Sequence, residues 1–171
     1  MDELGTEYLR DVAERLAGLR RNAERAAAQV DDRAFFAAPD AETNPIAVNM
    51  KHVGGNLRSR FTDFLTTDGE KPDRERDDEF VAEGETRAGV EAAWARGWEV
   101  LEATLASLAP ADLLRTVHIR GEGMTALSAL NRALAHLALH TGQIVLLAKH
   151  YAGPAWQTLS IPRGQSKTYR P

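Results

Sequence analysis

The sequence predicts an all-α chain, a four-helix bundle with long crossover connections. Apolar residues recur at helical spacing in four long stretches, and breaker-rich segments separate them. Strand patterning is confined to one short piece, so the helices must bury their apolar stripes against one another. A length of 171 residues suits one domain, residues 1–171, with a real core.

The first helix is expected over residues 4–30. Tyr8, Val12, Leu16 and Leu19 share a face, and alanine, arginine and glutamate dominate the rest. The second is expected over residues 44–66, with Asn44 as N-cap and Pro45 in the first helical position. Its stripe is Ile46, Met50, Val53, Leu57, Phe61 and Phe64. Gly54 and Gly55 each weaken it by about 1 kcal/mol relative to alanine, which points to a close helix neighbour or to plain tolerance.

Residues 67–85 hold Gly69, Pro72 and a dense mixture of charges, the pattern of a solvated surface loop. The third helix, residues 86–107, presents Val90, Trp94, Trp98, Leu101 and Leu105 on one face. Residues 108–123 are irregular; Thr116 to Arg120 alternates and reads as a short strand or extended lead-in, and Gly121-Glu122-Gly123 as a turn. Thr125 can cap the fourth helix, residues 126–150, which Gly153 and Pro154 end. The tail, residues 151–171, has no period and is expected to pack across the bundle or fray. Trp94, Trp98, Phe61 and Leu134 are expected in the core.

A net charge of −4 and a pI near 5.7 leave no broad basic surface, which disfavours nucleic acid as a partner. No run of about 18 apolar residues predicts a membrane span. The start Met1-Asp2-Glu3 has no basic-then-apolar leader, so a cytoplasmic location is expected. There is no cysteine. Any metal must be held by nitrogen and oxygen, and any thiol must arrive as a small molecule.

The chemistry points to three histidines. His136 and His140 lie four residues apart, about 40° around the fourth helix, beside the core arc of Leu130, Leu134 and Val145. Ala129 and Ala133 leave room next to them. His52 lies on the second helix at the edge of its apolar arc, with Asn49, Asn56, Arg60 and Asp63 on its side. If the helices face each other, three imidazoles form an open site for a divalent metal such as Zn, Ni, Fe or Co. Asn49, Asn56, Arg60 and Gln143 are then the candidates for contacts to the ligands or a substrate. His118 and His150 read as ordinary surface histidines. No serine–histidine–acid order, glycine-rich phosphate loop or H-E-x-x-H is present.

Lys51-His52-Val53-Gly54-Gly55-Asn56, followed by Arg60-Phe61-Thr62-Asp63-Phe64-Leu65-Thr66-Thr67-Asp68-Gly69-Glu70-Lys71-Pro72, resembles a branch of the DinB-like (damage-inducible-protein-like) metalloprotein superfamily. So do Asn131-Arg132-Ala133-Leu134-Ala135-His136, His140-Thr141-Gly142-Gln143-Ile144 and Ser160-Ile161-Pro162-Arg163-Gly164-Gln165-Ser166. The resemblance implies a bundle with an up-up-down-down crossover, a homodimer, and a divalent metal on His52, His136 and His140. Relatives in the superfamily act on small molecules with bacillithiol, mycothiol or glutathione, although this branch has no assigned reaction. The expected function is thus a metal-dependent small-molecule thiol S-transferase. The alternatives are a metal-dependent hydrolase, in which water replaces the thiol, and a non-enzymatic dimeric stress or interaction module.

Overall fold

The computed structural model describes residues 2–168. The chain is mostly helical, with one small two-stranded sheet. Four long helices dominate: α1 (Asp2–Ala27), α3 (Ile46–Phe61), α4 (Arg87–Ser107) and α5 (Ala126–Ala152). A short α2 (Asp32–Phe35) follows α1, and the strands β1 (Thr116–Ile119) and β2 (Glu122–Thr125) precede α5. The main packed pairs are α3 with α4 and α1 with α5, and α3 against α5 joins them. Among the described residues, no helix is long and apolar enough to cross a membrane.

The ends of the helices follow local chemistry. Thr86 Oγ1 accepts from the Gly89 N–H at 3.1 Å, and Thr125 Oγ1 from the Ser128 N–H at 3.1 Å, so each caps its helix. Gly153, at φ 52°, ends α5. Two boundaries differ from expectation. α1 stops at Ala27, because Asp31 caps a new turn by accepting from the Ala34 N–H at 2.8 Å, and Val30 is buried from a turn rather than a helix. α3 begins one residue after Pro45, which serves as its N-cap without a side-chain bond, so Asn44 caps nothing. It ends at Phe61, not near Thr66: Thr62 turns extended and Asp63 takes φ 48°. Phe64 reaches the core from that turn and packs on Phe61 at 5.2 Å between ring centres.

The glycines of α3 have separate reasons. A Cβ on Gly54 would lie 2.6 Å from the Ala93 carbonyl oxygen of α4, and Gly97 of α4 is crowded in turn by the Gly54 backbone. The two helix backbones therefore touch at this crossing, where only hydrogen fits. Around it lie Val53, Leu57, Trp94, Trp98 and Leu101, all buried, as is Phe61. Leu134 is only partly buried, on the flank of the core.

The third connection forms a hairpin with Thr116 opposite Thr125 and Ile119 opposite Glu122. Its two turn residues are Arg120 and Gly121, both at positive φ (56° and 77°), the backbone of a two-residue type I′ turn. Glu122 and Gly123, expected in the turn, belong to β2. In the tail, Trp156 and Leu159 pack against the core, and Gln157 exchanges hydrogen bonds with Gln29 in the turn after α1. Residues 169–171 of the expected tail lie outside the described residues.

Gly54→Ala should destabilise the protein by about 1–3 kcal/mol, the typical result of overpacking a tight crossing. Gly142 is a helical glycine with open space around its Cβ position, and Gly142→Ala should stabilise by about 0.5–1 kcal/mol. Urea midpoints of the two variants beside wild type check both; equal effects would remove the case for backbone contact at Gly54.

Candidate metal centre

Helical spacing puts Asn49, His52, Asn56 and Arg60 along one edge of α3, and His136 and His140 one turn apart on α5. Packing of α3 on α5 brings the two rows together. Nε2 of His136 lies 3.2 Å from Nε2 of His52 and 3.1 Å from Nε2 of His140. His52 and His140 are buried and His136 is half-buried. The three imidazoles thus offer ligand atoms within 4.8 Å of one another.

The outward nitrogens settle where the protons are. Asn49 is fully buried, and its Nδ2 donates to the carbonyls of Asn44 (2.9 Å) and Pro45 (3.0 Å). Its Oδ1 is therefore left to accept, at 2.8 Å, from Nδ1–H of His140. On the other side, Nδ1–H of His52 donates to Glu79 Oε2 at 2.8 Å. Arg74 grips the same carboxylate with Nε on Oε1 and Nη2 on Oε2, both at 2.8 Å. A carboxylate held this way stays ionised. Burial alone would raise the Glu79 pKa, but the bonds from His52 and Arg74 outweigh it and the carboxyl falls below its usual range.

In the tautomers those bonds select, Nδ1 of His52 and of His140 carries the hydrogen and Nε2 turns a lone pair toward His136. Nε2 of His136 can give a proton to only one of them, so lone pairs confront each other. Protonating the two α5 rings does not relieve this: burial, with repulsion from His140 and His52, lowers the His136 pKa to about 4, and burial with repulsion from His52 lowers that of His140 to about 4. A shared cation does relieve it. Two nitrogens bonded at 2.0–2.1 Å to a tetrahedral zinc stand about 3.3 Å apart, close to the spacings here. The donor set, with each outward nitrogen anchored by Asn49 or by Glu79, fits a divalent metal.

A cleft of about 210 Å³ opens onto the site. His52 and His136 line it, with Asn56 and Arg60 from α3, Ala129, Arg132 and Ala133 from α5, and Arg74, Arg76 and Arg120 from the connections. His140 forms the back of the site. Of the residues singled out from the sequence, Asn49 contacts a histidine, and Asn56 and Arg60 face the cleft. Arg60 also holds the loop, donating to the Gly69 carbonyl at 2.6 Å and to Glu70 at 2.7 Å. Gln143 is half-buried and is not part of the cleft wall.

The reading of residues 67–85 as a solvated loop needs correction. The loop covers the site, and its Arg74 and Glu79 side chains are only 4% and 8% exposed. Gly55 makes this possible, since a Cβ there would collide with the Glu79 carboxylate. Charge density concealed this pair among exposed neighbours. The available signal was chemical: a ligating histidine needs an acceptor for its second nitrogen, and this loop holds the acidic residues that follow the His52 helix.

Acid should destabilise the metal-free protein. In the unfolded chain the two α5 histidines titrate near 6.5, whereas in the fold they are held to about 4. Between those values the unfolded chain binds more protons, so stability present above pH 6.5 is lost as pH falls towards 4. Urea midpoints should drop steadily over that window, and less steeply in His136→Leu/His140→Leu; a wild-type profile flat from pH 7 to 4.5 would contradict this electrostatics.

No curated protein and no solved structure matches the chain. A family model does, over residues 3–165, nearly the whole length. The chain with this buried histidine trio belongs to the family described as "Protein of unknown function (DUF1572)".

Proposed function

We propose that the chain is a DinB-like four-helix bundle that binds a divalent metal and transfers the sulfur of a small-molecule thiol to an electrophile. The observation that carries this reading is the convergence of three Nε2 atoms while Asn49 and Glu79 occupy the outward nitrogens. His52, His136 and His140 would hold the ion. Bound there, it would act as a Lewis acid with positions left open, lowering the pKa of a thiol or a water.

The chain's own residues supply the rest. Phe61, Phe64 and Ile119 give the cleft an apolar side, and Asn56 offers an amide beside His52. The thiol gives its proton to solvent water, its sulfur lone pair forms the sulfur–carbon bond, and the displaced group leaves into solvent with the electron pair of the broken bond. The chain has no cysteine, so the sulfur must come from outside. Among the described residues no carboxylate lines the cleft, and Glu79, which touches His52, is tied to it and to Arg74. That favours a thiol as nucleophile over a water that needs a carboxylate base, the hydrolase alternative.

Elemental analysis of protein purified without a histidine tag should find close to one Zn, Ni, Fe or Co per chain, and none in His136→Ala. Glu79→Gln should weaken metal binding by about 10–100-fold. The metal-loaded protein should consume bacillithiol, mycothiol or glutathione in the presence of a generic electrophile. Turnover that needs no thiol yet is lost in His52→Ala would select the hydrolase, and a metal-free wild type would remove both.

A homodimer is part of the same proposal. Leu139 and Leu146, seven residues apart on the outer face of α5, are 60% and 68% exposed, an apolar face that suits a second copy. Light scattering should give twice the chain mass, falling to one in Leu146→Glu; a monomeric wild type would dispose of this part.

A further inference from the structure

The metal-centre reading leaves the outer half of the cleft without a role. Five guanidinium groups form its wall: Arg60, Arg74, Arg76, Arg120 and Arg132. Their partners do not balance them. Glu70 is shared among Arg60 at 2.7 Å, Arg120 at 3.1 Å and Arg74 at 3.5 Å, and Glu79 is held by Arg74 and His52. Asp68 is occupied by the backbone N–H groups of Glu70, Arg120 and Gly121. Asp77 meets Arg76 only at 3.7 Å, fully in solvent, a pairing of little strength. Among the described residues Arg132 has no carboxylate partner. Burial, with lesser repulsion from Arg74 and Arg120, holds the Arg60 pKa below its ordinary value despite Glu70.

The surplus also has a direction. Arg132 precedes His136 by four residues on α5, and Arg60 follows His52 by eight on α3. Along both helices the cleft lining thus passes from imidazole to guanidinium within one to two turns, with Arg132 exposed and Arg60 13% exposed. Half-enclosed walls concentrate such a field.

We propose that the cleft takes an anionic small molecule, its carboxylate or phosphate seated on Arg132 and Arg76 at the mouth and its reacting end directed at the three histidines. Arginine forks match both oxyanions bidentately. Phe61, Phe64 and Ile119 beside them accept an apolar body between the two ends. Arg60, Arg74 and Arg120 are committed to Glu70 and Glu79 and set the field, while Arg132, with no carboxylate partner among the described residues, and Arg76, stacked over Phe80 at 4.8 Å and only 3.7 Å from Asp77, keep N–H groups to grip with. As a statement about substrate this rests on the transferase reading; as a statement about binding it stands on the cleft alone.

The test uses the full metal-free chain, titrated by calorimetry and thermal shift with sodium phosphate and with sodium succinate. Sodium chloride at matched ionic strength and neutral succinamide are the controls. Saturable binding of at least one anion is expected, with no response to either control. Arg132→Ala, at an exposed position, should weaken that binding at least tenfold, Arg76→Ala severalfold, and Arg21→Ala on α1 not at all. Preference between the two salts identifies the oxyanion. Wild type that responds to both anions only as it does to chloride overturns the proposal, and so does an Arg132→Ala affinity equal to wild type. Metal content is measured on each protein as purified, before the metal is stripped for the titrations: metal without anion binding ends this inference alone, whereas anion binding by a chain that never holds metal ends the transferase reading and leaves the anion site standing.

Discussion

The Glu79 carboxylate is the constraint on which the site depends. It is a buried charge, and such a charge is costly unless each oxygen is matched. Here Arg74 matches both oxygens in parallel, and the remaining bond goes to His52. That one acceptor fixes the ring orientation, puts hydrogen on Nδ1 and turns Nε2 inward. Asn49 does the same for His140 with a neutral amide. Removing Glu79 would leave Arg74 buried with Glu70 as its only acidic neighbour, at 3.5 Å, and His52 free to rotate. The ionic pair is therefore an orienting device first, and its net contribution to stability is secondary.

Glu79 is held in place by a chain of contacts through the connections. Asp68 accepts from both turn amides of the hairpin, Arg120 at 2.9 Å and Gly121 at 2.8 Å, and from Glu70 at 2.7 Å. These bonds draw its pKa down to about 2. Gly69 donates to the His118 carbonyl at 2.8 Å and accepts from Ser59 at 2.7 Å. Lys51 ties the far end of the loop to α3 through the Val81 carbonyl at 2.9 Å. The segment from Asp68 to Pro72, part of the stretch 67–85 expected to be a solvated surface loop, thus fastens loop, hairpin and α3 together, which sets the height at which Arg74 and Glu79 cross the histidines.

Helical periodicity made the four long helices legible, because each buries one stripe and the stripe repeats every 3.6 residues. The Thr125 cap was legible from local chemistry, whereas Thr86, placed at the start of the expected third helix, turned out to be its cap. The end of α3 was not. Phe64 continues the apolar stripe, and nothing in a one-dimensional pattern distinguishes a helical phenylalanine from one delivered by a turn. His136 and His140 could be paired from spacing alone, His52 could be named as the third from its place at the edge of the second helix's apolar arc, and the resemblance implied the same three. Arg74 and Glu79 were hidden because charge is usually solvated, and only a three-dimensional partner reveals the exception. Gly55 carried that information in the sequence, but its meaning depends on a side chain 24 positions away that occupies the missing Cβ.

The division of labour on α3 explains how a helix with so many polar residues can sit at the centre of the molecule. One side carries Val53, Leu57 and the bare backbone of Gly54, and docks on α4 at contact distance. The other carries Asn49, His52, Asn56 and Arg60, and faces α5 and the cleft. Close docking on α4 fixes the axis of α3, so the polar side is presented at a defined distance from α5 without an apolar contact of its own at that level. Filling the polar side with leucine would give a better-packed bundle with no cleft. The polar row is therefore a departure from optimal packing, tolerated because Asn49 and Glu79 satisfy the buried nitrogens and because Gly54 and Gly97 let the opposite face recover contact. The departure is local to the stretch where three lone pairs meet, which is where a bound cation would return stability to the fold.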